Sequence, residues 1–415
     1  MKPQGTRSSA DPIREFYTNH PYPPPITNLD RAREVYRDEN VVRAEYHLYW
    51  PHKEYRADID VLVAGCGTWQ SAKFALVHPE ARVVAIDVST TSLEHTEALK
   101  QKYELANLET RQLPIENAGD LKQSFDLIVC TGVLHHLVDP EVGLRALRSV
   151  LQNDGAIYLM LYAPYGRVGV SMMQEYCRRL GIGTSPQEIN DLTAALKAMP
   201  QHHPLLSMLR GARDAANADA LVDALLNPRD RTYSVSQLFD FLERNELSLG
   251  RWYWQAAYSP LCGAISTTPH ARRLAALPER EQFATMELWR GLIANHDFIV
   301  HRSDMNRDDL EVRFDGEDHF RYVPIRRPWT MCVQERLPPG VAGALVNQTH
   351  LFDDLYVFID AQEKEMFDAI DGRRSVGEIV ETVKSESSHA SQFFDKLWWH
   401  DQVVFDTSKA ARLRE

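Results

Sequence analysis

The 415-residue chain has only five cysteines, Cys66, Cys130, Cys177, Cys262 and Cys332, scattered without the spacing of a metal-ligand set or a disulfide framework. A thiolate zinc site and a bridged secreted scaffold are not expected, and no metal is assigned. Positive charge is also short: 46 Lys and Arg stand against 58 Asp and Glu, giving −12. With no long basic run to neutralise a phosphate backbone, nucleic acid is not an expected partner. No stretch approaches the roughly 18 apolar residues of a membrane span. Met1 to Ala10 is polar and lacks the apolar region of a secretory signal, so a soluble, cytoplasmic protein with no membrane partner is expected.

What is present suits a folded chain. Hydrophobic residues make up 44% and charged residues 25%, close to the averages for globular domains. The length exceeds what one core usually organises, which predicts a main domain with insertions and a second, smaller unit.

Asp58 to Ser89 carries the most information. Val61-Leu62-Val63-Ala64 reads as a buried strand, stops at Gly65-Cys66-Gly67-Thr68, and gives way to a helical segment around Ser71 to Val77. A second apolar strand, Arg82 to Ile86, ends in Asp87, about twenty residues past the first glycines, where a carboxylate can grip ribose hydroxyls. Glycine lets a ligand lie against the turn backbone, and the following helix offers unpaired N–H groups. A dinucleotide site is the nearest competitor, but its third glycine is replaced here by Gln70, after Trp69. The encumbered turn suits a nucleoside bearing an amino-acid tail better than a pyrophosphate, which points to S-adenosylmethionine.

The next strand, Phe125 to Cys130, runs into Thr131-Gly132-Val133-Leu134-His135-His136-Leu137. The turn AGCGT, the strand end AIDVS and the string FDLIVCTGVLHHLVDP, followed by GLRALRSVLQNDGAIYLMLY, resemble the ordered motifs of class I S-adenosylmethionine-dependent methyltransferases over about residues 55 to 165. The resemblance implies a Rossmann-like α/β fold: a mostly parallel seven-stranded sheet with helices on both faces. It also implies that Gly65, Cys66 and Gly67 meet the methionine part of the cofactor, Asp87 and Val88 the ribose, Pro114 and Ile115 the adenine, and Thr131, Gly132 and Val133 the far side. Two positions depart from the pattern, Val63 where relatives carry an acid and Trp69 where they carry glycine. The loop Gln112 to Asp120 lacks the usual adenine-binding Asp, for which Glu116 or Asp120 can substitute.

Displacement at a sulfonium needs alignment, water exclusion and at most one base. His135, His136 and Tyr162 stand at strand ends, and Tyr17, His20 and Tyr22 lie in the segment Phe16 to Pro25, read as too proline-rich for a helix. These six are the catalytic candidates, although histidines in turns and aromatic clusters more often serve packing. The expected organisation is a lid segment over 1–50, a cofactor core over 51–170, a helical insertion over 171–232, the rest of the sheet over 233–305, a linker over 306–345, and an accessory domain over 346–415. The last, with three short helices and a strand at Val403 to Phe405, resembles a winged-helix α+β module. Its acidic composition favours a peptide partner or a homodimer over DNA. A small thiol is the preferred methyl acceptor, with hydroxyl or amine metabolites next. The alternatives are a peptide or protein acceptor recruited by the C-terminal module, or a non-catalytic sensor of the cofactor.

Overall fold

The computed structural model describes residues 12–206 and 218–411. Parts of the expected lid (1–11), insertion (207–217) and accessory domain (412–415) lie outside the described residues. Three helices, α1 (Pro12–Asn19), α2 (Asp30–Val35) and α3 (Glu39–Tyr49), precede the sheet. The helix α1 corrects the reading of Phe16 to Pro25 as non-helical: the prolines begin only at Pro21, so the preceding turns are free to coil.

The apolar runs become the strands β1 (Asp60–Ala64), β2 (Arg82–Asp87), β3 (Leu108–Gln112), β4 (Phe125–Thr131) and β5 (Leu151–Tyr162). Between them lie α4 (Gln70–Val77), α5 (Thr90–Tyr103) and α6 (Pro140–Ser149). Val61, Leu62 and Val63 are fully buried, as an unalternating run must be when helices cover both faces of a parallel sheet. Helix starts follow their caps. Ser89 accepts from the Ser92 N–H, and Asp139 accepts from Glu141 and Val142 ahead of Pro140 at the first helical position.

After β5 the chain enters the insertion, with α7 (Val168–Leu180), α8 (Pro186–Lys197) and α9 (Ala218–Leu226). It returns through α10 (Val235–Arg244), β6 (Leu247–Trp252), the helices α11 (Ala271–Ala275) and α12 (Glu279–Arg290), and β7 (Asn295–Arg302). The seven strands are ordered β3-β2-β1-β4-β5-β7-β6, with β7 antiparallel to both neighbours and the other pairings parallel. Strand order reverses between β1 and β4, so a crevice opens at their carboxyl ends.

Residues 323–347 do not behave as the expected linker. They contribute β8 (Val323–Arg326), β9 (Thr330–Val333) and β10 (Gly343–Asn347) to the C-terminal part. There β10 pairs antiparallel with β9 and with β11 (Tyr356–Ile359), while β8 pairs with β12 (Val403–Asp406). The helices α13 (Ala361–Asp368), α14 (Val376–Val383) and α15 (Ser387–Trp399) precede β12, and α16 (Ser408–Ala411) follows it. This part shares a core with the main sheet: Val61, Val83 and Leu48 belong to one apolar cluster with Ile325, Leu345, Phe393, Leu397 and Phe405. Asp401, fully buried, ties the two together by accepting the Ala256 N–H at 3.0 Å and facing Arg251 at 3.3 Å and His350 at 3.4 Å. Trp398 is buried beneath the Arg251 guanidinium, 4.2 Å from the ring centre, so packing accounts for it.

Candidate active site

The crevice at the strand ends is a cavity of about 1040 Å³. One end is built from backbone turns. Gly65 (φ 70°) and Gly67 (φ 56°) occupy the left-handed region that side chains avoid. A Cβ on Gly65 would stand 2.4 Å from a Val133 methyl, and one on Gly67 would stand 2.8 Å from the Pro23 ring. Asp87 accepts from the Gly67 N–H at 2.9 Å and the Ser89 N–H at 2.8 Å, so its carboxylate is fixed between the two turns. Burial raises its pKa against those hydrogen bonds. Gln70, where a dinucleotide turn has glycine, donates from Nε2 to Thr131 Oγ1 at 2.8 Å and crosses from the first turn to the end of β4.

All ten residues expected around the cofactor, Gly65, Cys66, Gly67, Asp87, Val88, Pro114, Ile115, Thr131, Gly132 and Val133, line this cavity. Glu116 and Asn117 line it too, whereas Asp120 is not among the lining residues. The Cys66 thiol is buried, which raises its pKa and removes it as a nucleophile.

The lid closes on the same turn. Thr68 Oγ1 donates to the Pro23 carbonyl at 2.7 Å, and Ser89 Oγ donates to the Tyr17 carbonyl at 3.1 Å. These contacts carry Tyr17 and Tyr22 into the cavity wall, opposite Tyr162 and His136. His20 is not in the wall: its ring packs on Phe16 and its Nδ1 lies 3.6 Å from Asp219. Nor is His135, which sits behind the wall, fully buried, with its ring centre 3.9 Å from that of Tyr162. Burial first, then neighbouring His136 and Arg167, holds its imidazole pKa well below the usual value, so it is not a proton acceptor for a molecule in the cavity.

Among the wall residues that escaped the sequence reading are Arg167, Asp223 and Asn295. Tyr17 donates its hydroxyl to Asp223 Oδ1 at 2.8 Å, and Asn227 Nδ2 donates to the Tyr17 oxygen at 3.0 Å and to the same Asp223 oxygen at 3.3 Å. Burial raises the Asp223 carboxyl above its usual range, opposed by His136 and by the bonds from Tyr17 and Asn227. Tyr17 and Tyr162 are pushed well above the usual phenol value, by burial first and by Asp223 next, and stay protonated at neutral pH. The Arg167 guanidinium lies 3.5 Å from the Tyr162 ring centre and donates to Asp230 at 3.0 Å. The one sequence signal for Asp223 was an acid inside the apolar helix run ADALVDALL, too common a feature to single out.

A Rossmann-like sheet whose reversal point carries this glycine turn, this fixed acid and this strand end matches a known domain: residues 62–157 fit the family model described as a methyltransferase domain. The chain is a class I S-adenosylmethionine-dependent methyltransferase, and S-adenosylmethionine is its cofactor. The chain is similar to the uncharacterized protein syc1184_c of Synechococcus, 25% identical over 81% of this chain and 80% of the relative. It is also similar to the uncharacterized methyltransferase YcgJ of Bacillus subtilis, 26% identical over 40% of this chain and 64% of the relative. The structure of PKMT2 from Rickettsia typhi, also solved in complex with AdoHcy, superimposes with a TM-score of 0.64 at 16% identity, covering 93% of this chain and 77% of that one. The shared fold therefore includes the C-terminal part. Among the described residues no helix is long and apolar enough to cross a membrane.

Proposed function

We propose that the protein transfers a methyl group to a proton-bearing oxygen or nitrogen nucleophile seated among Tyr17, Tyr22, Tyr162 and His136, with Asp223 as the proton acceptor. The cofactor supplies an activated methyl on a sulfonium. In this reading Gly65 and Gly67 give its amino-acid part close backbone approach, Asp87 accepts from its ribose hydroxyls with the lone pairs that Gly67 and Ser89 leave free, and Ile115 and Asn117 border its base.

The observation that carries this reading is the hydrogen-bonded Tyr17–Asp223–Asn227 group, whose carboxylate is buried and lines the cavity with Tyr17. A thiol ionises with little help, so a carboxyl raised above its usual range by burial and held by two donors is better matched to a hydroxyl or an amine, whose proton must be taken as the bond forms. Small thiols thus rank behind hydroxyl and amine acceptors. The cavity sits at the upper end of the roughly 300–1,000 Å³ of small-molecule sites, which leaves space beyond the cofactor. Turnover of labelled S-adenosylmethionine against panels of small phenols, amines and thiols tests the assignment. Methylation confined to thiols would overturn it.

A peptide-borne acceptor is the second reading. Met331, Val333, Tyr356 and Phe358 expose an apolar face on the β9-β10-β11 sheet, and a peptide could be recruited there. Deleting the C-terminal part would remove core residues of the catalytic sheet. The test is therefore Tyr356→Ser with Phe358→Ser, expected under this reading to raise KM for peptides and to leave cofactor affinity unchanged.

A further inference from the structure

At the acceptor end of the cavity three ligand-type side chains converge, two of which, His135 and Asp230, the proposed transfer does not use. Among the described residues neither ring nitrogen of His135 has a hydrogen-bond partner. His136 donates from Nδ1 to the Arg229 carbonyl at 2.6 Å, which leaves Nε2 with a lone pair and no partner. Asp230 accepts at Oδ2 from Gln174 at 2.7 Å and Arg167 at 3.0 Å, while Oδ1 has none. The residues His135 and His136 are 0% and 3% exposed and the Asp230 side chain 8%. One ligand atom from each lies within 4.8 Å of the other two.

We propose that His135, His136 and Asp230 bind one divalent transition-metal ion of the class that prefers imidazole, such as zinc or cobalt. Two imidazoles and one carboxylate suit that class and not magnesium or calcium, which take oxygen donors. Bonds of about 2.0–2.2 Å around a tetrahedral ion place ligand atoms about 3.3–3.6 Å apart, so the side chains, within 4.8 Å of one another, need close by at most about 1.5 Å. The surroundings are those of a ligand set. A backbone carbonyl fixes the His136 tautomer, and Gln174 and Arg167 orient the carboxylate from its other oxygen. The Arg167 charge is paired with Asp230 and lies over the face of Tyr162. Three protein ligands leave a position for water or for the acceptor's heteroatom. The site shares His136 with the cavity wall and does not depend on which acceptor is methylated.

Tag-free protein, stripped with chelator, is titrated with Zn²⁺ and with Co²⁺. One equivalent per chain retained after desalting, with visible cobalt absorption of an N/O environment, is the expected result. The variant His135→Asn with Asp230→Asn, checked by circular dichroism and by AdoHcy binding, should lose that equivalent. Should it fail to fold, Gln174→Leu, which keeps all three ligands and removes the donor to Asp230 and to the Ala224 carbonyl, should weaken binding about 10-fold or more. No uptake by folded wild-type protein would overturn the site in favour of buried water, and equal uptake by a folded variant would overturn it by locating the metal elsewhere.

Discussion

The two ends of the cavity are made differently. Gly65, Asp87, Ile115 and Gly132 come from one stretch of strands and turns, and they meet because consecutive parallel strands end on the same side of the sheet. The acceptor end is assembled from far apart: Tyr17 and Asp223, joined by a hydrogen bond, are separated by 206 positions. Tyr162, Arg167 and Asn295 reach it from the end of β5, the start of the insertion and β7. A site of backbone turns is tied to local sequence, and a site of side chains depends on how the whole chain packs. The first can therefore persist while the second is remade for a new acceptor.

Substitutions that strike only one end should separate binding from chemistry. The largest effect is expected from Asp223→Asn, with kcat lower by roughly 10²–10⁴-fold and AdoHcy affinity unchanged by calorimetry. A base acts in its deprotonated form, so the wild-type kcat should fall as pH drops through a pKa above the usual carboxylate range, the direction in which burial moves Asp223. The Asn variant should lose that limb of the pH profile. Next comes Asp87→Ala, which removes a carboxylate that also holds two backbone N–H groups. Charge-assisted bonds are worth about 1.5–3 kcal/mol each, so AdoHcy should bind roughly 100-fold more weakly, with kcat at saturating cofactor largely kept. A fall in kcat matching the fall in affinity would break the division between the ends.

Gly67→Ala adds a methyl against Pro23 in a left-handed backbone. It should cost about 1–3 kcal/mol of stability and weaken cofactor binding by roughly tenfold, read by thermal melting and calorimetry. The smallest change is expected from Tyr17→Phe. Asn227 still donates to Asp223, so the loss of one hydrogen bond should lower kcat by roughly 2- to 10-fold. A larger drop would make the Tyr17 hydroxyl itself a contact of the acceptor.

Legibility in the sequence followed the same division. Apolar runs ending in Gly65, Asp87 and Thr131 located strand ends, because a buried parallel strand has to be apolar throughout and its ligand turn has to be small. The prolines after His20 obscured α1, since their influence was extended back over residues they do not constrain. Residues 323–347 looked like a linker because β8, β9 and β10 are only four or five residues long and pair with strands later in the chain. His135 and His136 are neighbours in sequence, yet only His136 reaches the cavity. Periodicity does not say which of two adjacent side chains in a 3₁₀ turn faces a ligand.

The closing strand carries a consequence for synthesis. Thr407 donates its N–H to the Pro51 carbonyl at 2.7 Å, and β12 completes both its pairing with β8 and the packing under α3. A ribosome delivering this chain has released every residue of the cofactor crevice well before the β12 residues that join the apolar cluster with Leu48, Val61 and Val83 emerge. A chain that ends before β12 leaves that cluster uncovered, and its product should be one for proteases, not a smaller catalyst.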